Sequence, residues 1–303
     1  MKLNTPIGTF TTTADREIRA RSGLQWPSLS GLGDLREHWH VLLGVAVLTP
    51  LALLALFYPA LPLPGYMETN PSSGLLGPSL EHPFGTDNLG RDILSRTLAG
   101  TRISLTVGFA VAIIAVALGV LIGNATVFSG RIVDTAVTTI VDLLLSFPSL
   151  LLAIALVAVF GAGLMQVIVA IVIADLPRAI RLQRALALGL KNRAFIDAAR
   201  MVSAPTWWLL LRHVIPNTLA PMLVMGSIYA ANAILVEASL SFLGLGILPP
   251  QPSWGNLIHD GQRYLLNAWW ISTFPGLALL AVTISLHLIA DGARASMDPS
   301  LRV

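Results

Sequence analysis

An all-α, polytopic membrane protein with about six transmembrane helices is the fold class this sequence predicts, and three observations predict it. Hydrophobic residues make up 54% of the 303-residue chain and charged ones only 12%. With a mean hydropathy of +0.74, that is too apolar for a soluble domain of ordinary usage. Apolar runs recur at the length a bilayer demands, about 20 residues as a helix. Lysine and arginine gather between particular runs, as membrane orientation sorts them.

The first run, HVLLGVAVLTPLALLALFY, covers His40 to Tyr58. It starts too far from the first residue, and is too long, for a cleaved signal sequence. The second covers Ile103 to Phe128, between Arg102 and Arg131. The third, about Thr135 to Phe160, is broken only by Asp142, and Pro148 within it predicts a kink that frees backbone carbonyls. After GAGLM the fourth runs from Gln166 to Leu176, the Gly-Ala-Gly turn predicting two helices rather than one. The fifth spans about Thr218 to Leu245 and the sixth about Trp269 to Ile289. Residues 1–36, polar with Gly and Ser, read as a cytoplasmic tail, and 37–303 as the transmembrane domain.

Orientation follows from the basic residues, which are retained on the cytoplasmic side. With both termini inside, only Arg91, Arg96, Arg102 and Arg263 fall outside, leaving 15 of the 19 Lys and Arg in cytoplasmic parts. The net charge of +3 and pI near 9.7 thus reflect membrane sidedness, not a nucleic-acid partner. Cysteine is absent, which removes disulfides and Cys-based metal sites.

One cytoplasmic segment stands out: RAFIDAARMVSAPTWWLLLRHVIPN, Arg193 to Asn217, within a loop of about 178–216. Ala194 to Ala204 favour a short helix, which Pro205 ends. Phe195, Ala198, Ala199 and Val202 share one face at helical spacing, with small residues at its centre. Two readings stand at this point: a helix seated in a groove of a partner, or an interfacial helix with its arginines at anionic headgroups.

Ionisable residues within spans avoid lipid and face protein or water; Asp142, Glu237 and Asp175 are of this kind. Glu237 precedes the small-residue run ASLSFLGLG and reads either as pore-lining or as a structural hydrogen-bond centre, whereas Asp142 reads first as structural. His287 and Asp291, four apart near the end of the last run, read as a hydrogen-bonded pair at the inner interface. The six histidines form no metal-spaced set. In the outer segment FGTDNLGRDILSR, Gly85 and Gly90 flank Asp87 and Asn88, turn chemistry that starts a helix near Asp92. The loop LPPQPSWGN, Leu248 to Asn256, is rigid enough to cap an outer gate.

The cytoplasmic segment resembles the "EAA" loop of ABC importer permeases: Glu-Ala-Ala, three residues, Gly, nine residues, Ile-x-Leu-Pro. Here those positions hold Asp197, Ala198, Ala199, then Ser203, then His213, Ile215 and Pro216. The spacing is kept, Ser203 and His213 departing from the pattern. Three further blocks, His82 to Leu105, Glu237 to Ile258 and Phe274 to Pro299, resemble those of the second permease subunit in dipeptide, oligopeptide and nickel importers.

The resemblance implies the type I ABC importer permease fold and an inner-membrane protein of a bacterium. Its implied partners are a homologous permease subunit, two ATP-binding subunits and an extracytoplasmic solute-binding protein, besides the lipid bilayer. It makes Ala194 to Ala204 a coupling helix, with Phe195, Asp197, Ala198, Ala199, Ser203 and Pro216 as its site residues, the alanines small so that a partner can approach. Glu237 and Asp142 are pore candidates; Asp87, Arg91 and Asp92 either brace the pore mouth or touch the docked binding protein. ATP and Mg fall to the partners, since Lys2 and Lys191 follow Met1 and Leu190 and form no Gly-Lys-[Ser/Thr] loop. A stand-alone secondary transporter, using intramembrane carboxylates for protons, is the competing class. A membrane enzyme would need a constellation that is not visible. Peptides are the expected cargo, with nickel or a metallophore complex as the alternative.

Overall fold

The computed structural model describes residues 39–297; the tail expected over residues 1–36 lies outside them, as does Arg302. Nine helices are present among the described residues. The first, α1, runs Trp39–Phe57 and is followed by short 3-10 turns at Tyr58–Ala60 and Pro71–Ser73. Then come α2 (Ile93–Phe128), α3 (Arg131–Leu145), α4 (Ser149–Phe160) and α5 (Leu164–Lys191). A short α6, Ala194–Met201, precedes α7, Thr206–Phe242. The chain ends with α8 (Trp254–Gln262) and α9 (Trp270–Met297).

By length and composition, α1, α2, α7 and α9 can each cross a membrane, and α3 with α4 can make one broken span. The 28-residue α5, with its charged residues from Asp175 onward, supplies the sixth element.

Three boundaries differ from the sequence reading, each for a local reason. The second span begins ten residues early because Asp92 caps it, its Oδ1 accepting from the Ser95 N–H at 2.8 Å. The third is not a kinked helix but two helices 94° apart. Pro148 brings no N–H to the ladder, and Ser146 Oγ donates back to the Asp142 carbonyl at 2.9 Å, a bond that bends helices. The fifth starts at Thr206, well before Thr218, through a π turn at Leu210–Val214 whose wider ring accommodates Pro216, which cannot donate.

The bundle centres on α2, packed between α5 and α7. Close approach needs missing side chains: a Cβ on Gly119 would lie 2.7 Å from Ala179 Cβ, and one on Gly123 would lie 2.7 Å from Gln183 Cβ. Two apolar cores result. One joins Val107, Val157, Ile171 and Leu240, and the other joins Leu105, Met222, Tyr229, Ile234, Trp254 and Leu286. The first helix lies along α9, with only Gly44 and Ala55 buried. At the opposite end from α6, the Gly163 N–H donates to the Gly246 carbonyl at 3.1 Å, tying the α4–α5 turn to the loop after α7.

Candidate functional site

The segment after α5 folds as the short helix α6, but the side it buries differs from the sequence reading. Ile196 is fully buried and packs with Val127, Ala187 and Val214, and Ala199 is only 9% exposed. Ile196, the β-branched residue one place after Phe195, takes the inward position, and Ala199 follows it at i+3. Ala199 thus lies on the buried side of the helix within this chain. The outward edge is Phe195, Ala198, Met201 and Val202, with Met201 81% and Val202 78% exposed. Asp197 is exposed and lies 3.3 Å from Arg200.

Ser203 stands where the pattern has glycine, and its backbone is left-handed with φ 56°. Its N–H donates to the Arg200 carbonyl at 2.8 Å, and the Ala204 N–H to the Ala199 carbonyl at 3.1 Å. Those two bonds are a Schellman stop, so serine keeps the glycine geometry at a cost of about 1 kcal/mol. His213, the other departure, has its ring 5.8 Å from Phe195 and 5.1 Å from Trp208 between centroids. Pro216 sits exposed within α7, two residues past the π turn at Leu210–Val214.

Behind this helix three spans are fastened together. Lys191 Nζ donates to the Val127 carbonyl at 2.8 Å, joining the ends of α5 and α2. One turn above Ala187, the buried Gln183 Nε2 donates at 3.0 Å to both Asn124 Oδ1 and Thr218 Oγ1, linking α5, α2 and α7. Sequence reading missed this network, although a Gln and an Asn in apolar helices, each opposite small residues, were its visible signal.

The opposite end is a second polar assembly. Asp87 Oδ1 accepts from the N–H groups of Leu89 (2.8 Å) and Arg91 (3.0 Å), and its Oδ2 from Arg91 Nε (2.6 Å). Asp92 caps α2 and lies 3.0 Å from His82 Nδ1. Trp270 Nε1 donates to the Thr86 carbonyl at 3.0 Å, and Trp254 Nε1 to the Thr97 carbonyl at 3.2 Å. Asp87 and Asp92 are thus consumed in bracing. Arg96, unremarked in the sequence reading beyond its side of the membrane, is buried 3.9 Å from both Asp87 and Asp260. The Leu248–Asn256 loop ends in a capping box, Ser253 with Asn256, that starts α8.

The pore candidates separate. Glu237 has no exposed surface and accepts from Ser241 Oγ at 2.7 Å and Ser104 Oγ at 3.2 Å, the hydrogen-bonding arrangement of the two considered. Asp142 is on the surface, 64% exposed, 2.6 Å from Arg181. Asp175 is buried and pairs with Arg178 at 2.5 Å. The expected His287–Asp291 pair is not formed: His287 Nδ1 lies 2.8 Å from the Thr283 carbonyl, and Asp291 is 4.0 Å from Arg294. The backbone carbonyl one turn back is nearer to the imidazole than the aspartate one turn forward.

Residues 83–303 match the family model of binding-protein-dependent transport system inner membrane components. The chain is 38% identical over 269 residues to the dipeptide transport system permease protein DppC of Alkalihalophilus pseudofirmus, covering 89% of this chain and 88% of that one. Similarity to the di/tripeptide transport system permease protein DppC of Pseudomonas aeruginosa is 36% over 289 residues, 91% and 95% of the two chains. To the glutathione transport system permease protein GsiD of Escherichia coli it is 39% over 226 residues, 75% of each.

Proposed function

The chain belongs to the family of binding-protein-dependent transport system inner membrane components, and on that premise we propose that it forms half of the path by which an ABC importer carries di- or oligopeptides inward. The relatives described above are named for dipeptides, di/tripeptides and glutathione, which supports peptides over nickel or a metallophore. The other half is a homologous permease subunit. Two ATP-binding subunits hold ATP and Mg, and an extracytoplasmic binding protein delivers the cargo. Both termini lie in the cytoplasm, as the basic residues direct.

The observation that carries the coupling role is the two-sidedness of α6. On its inner side Ile196 packs with Val127, Ala187 and Val214 of α2, α5 and α7, and Ala199 is buried beside it on the helix. Its outer edge, Phe195, Ala198, Met201 and Val202, is apolar and exposed. Force applied to that edge reaches three spans. A helix floating on lipid headgroups would have no need of such fastening.

Peptide-stimulated ATP hydrolysis in the reconstituted complex is the test. Val202→Lys places a charge in the contact without touching the chain's own core, so the ATP-binding subunits should co-purify less and stimulation should fall about tenfold or more. Full stimulation and full co-purification would sink the reading.

A further inference from the structure

Three arginines stand at i, i+3 and i+6 on α5, and each is paired with an aspartate. Arg178 meets Asp175 at 2.5 Å, Arg181 meets Asp142 at 2.6 Å, and Arg184 grips Asp134 with bonds of 2.7 and 2.8 Å. The stripe carries six charges and no net charge. It lies open: Arg181 and Asp142 are 60% and 64% exposed, Arg178 44%, and Arg184 and Asp134 31% and 32%. Two of the aspartates come from α3, which buries only Val141 of its 15 residues and leaves an apolar cavity of about 250 Å³ against α5. The ion pairs are therefore a main attachment of α3.

Depth makes this arrangement unusual. Because α5 continues unbroken to Lys191, the loop expected from about residue 178 is helix here: counting 1.5 Å per residue from Leu164 puts Asp175, Arg178 and Arg181 roughly 17, 21 and 26 Å along it, within the span of a hydrocarbon layer about 30 Å thick. Charged side chains at such depth face water or protein, not lipid. Surface pairs on such a helix thus mark a side turned away from lipid, toward water or a partner chain.

We propose that this paired stripe lines the aqueous path and passes the charged groups of a peptide along it, a reading that rests on peptide import as proposed above. A free peptide carries a carboxylate and an ammonium. The carboxylate can take an arginine while the ammonium takes the aspartate released, so one set of pairs replaces another and no charge is stranded. Asp175 Oδ2, buried and without a hydrogen-bond partner, offers the innermost acceptor. Arg181 and Asp142, the most exposed pair, lie further along α5 from Leu164 and take the cargo after Arg178 and Asp175.

The test uses the complete complex in proteoliposomes with alanylglutamate, alanyllysine and alanylalanine. Each variant's uptake is divided by the wild-type rate for the same peptide, which cancels selection by the binding protein. Arg181→Gln should depress the acidic peptide about fivefold more than the basic one, the size of one screened charge contact, and Asp142→Asn should reverse that order. In the otherwise unaltered chain, which has no cysteine, Ser146→Cys, exposed one turn beyond Asp142, should react with a charged thiol reagent, and peptide turnover should slow the reaction. Ile113→Cys, exposed among apolar neighbours, is the unreactive control. Equal losses for all three peptides would reduce the stripe to a brace for α3 and overturn the proposal. So would undiminished uptake of every peptide in both charge variants, or a thiol in Ser146→Cys as shielded as the one in Ile113→Cys. A wild-type complex that moves none of the peptides would instead overturn peptide import itself.

Discussion

The two ends of the bundle solve the problem of polar groups in opposite ways. At the end holding α8, carboxylates and indoles are used up internally: Asp87 and Asp92 are buried, and Trp254 and Trp270 spend their N–H groups on Thr97 and Thr86. At the end holding α6, large apolar side chains are left uncovered, and Met201 and Val202 protrude. One end buries its carboxylates and indole N–H groups within the chain; the other presents a short helix with one buried side and one exposed apolar edge. The contrast implies that substitutions at the first should act on folding, and substitutions at the outward edge of the second on assembly.

The largest effect expected is at Trp254, which has no exposed surface and bridges α8 to α2. Trp254→Ala should cost about 3–5 kcal/mol, a loss readable as a fall in the thermal unfolding midpoint of the purified chain in detergent. A midpoint unchanged within a degree or so would break the contrast at its stronger end.

Within α6 the same contrast can be drawn between neighbouring positions. Ile196→Ala, at a fully buried position, should destabilise by about 2–4 kcal/mol, whereas Ala198→Glu, on the exposed edge, should stay within about 0.5 kcal/mol while impairing ATP-subunit binding. Ala199→Leu belongs with Ile196: overpacking the chain's own core should cost about 1–3 kcal/mol, and loss of partner binding without loss of stability would refute the inward orientation. A smaller change of opposite sign is expected at Ser203, held at φ 56°. Ser203→Gly should stabilise by about 1 kcal/mol, seen as a raised unfolding midpoint. Asp197→Asn, which removes an exposed 3.3 Å pair, should likewise shift stability only slightly, by less than about 1 kcal/mol.

Much of this architecture is legible in the residues themselves. The apolar runs mark the spans, Asp92 marks a helix start, and the residues from Ala194 to Pro205 mark the short helix α6 before any coordinate is known. Orientation within that segment was not legible, because Phe195, Ala198, Ala199 and Val202 make as good an apolar stripe as Ile196 with Ala199. Which one turns inward depends on Val127, Ala187 and Val214, residues from three other helices. The sharp break at Pro148 was hidden likewise: a proline signals a kink, but Ser146 and the ion pairs of α3 decide its size. Long-range polar partners such as Gln183 with Asn124, or Arg96 with Asp87 and Asp260, have no periodic signature at all.

The helix α5 reaches from Gly163, bonded to the loop after α7, to Lys191, bonded to the end of α2. Its 28 residues make a rod roughly 42 Å long at 1.5 Å per residue. A rod gripped at both ends is a lever, and its length sets the gearing. Pivoted at its cytoplasmic end, a tilt of only about 5° carries the far end sideways by roughly 3.7 Å, close to the ~3.8 Å from one Cα to the next along a peptide. A small rotation at one end of the rod would thus correspond to a step the size of a single residue at the other.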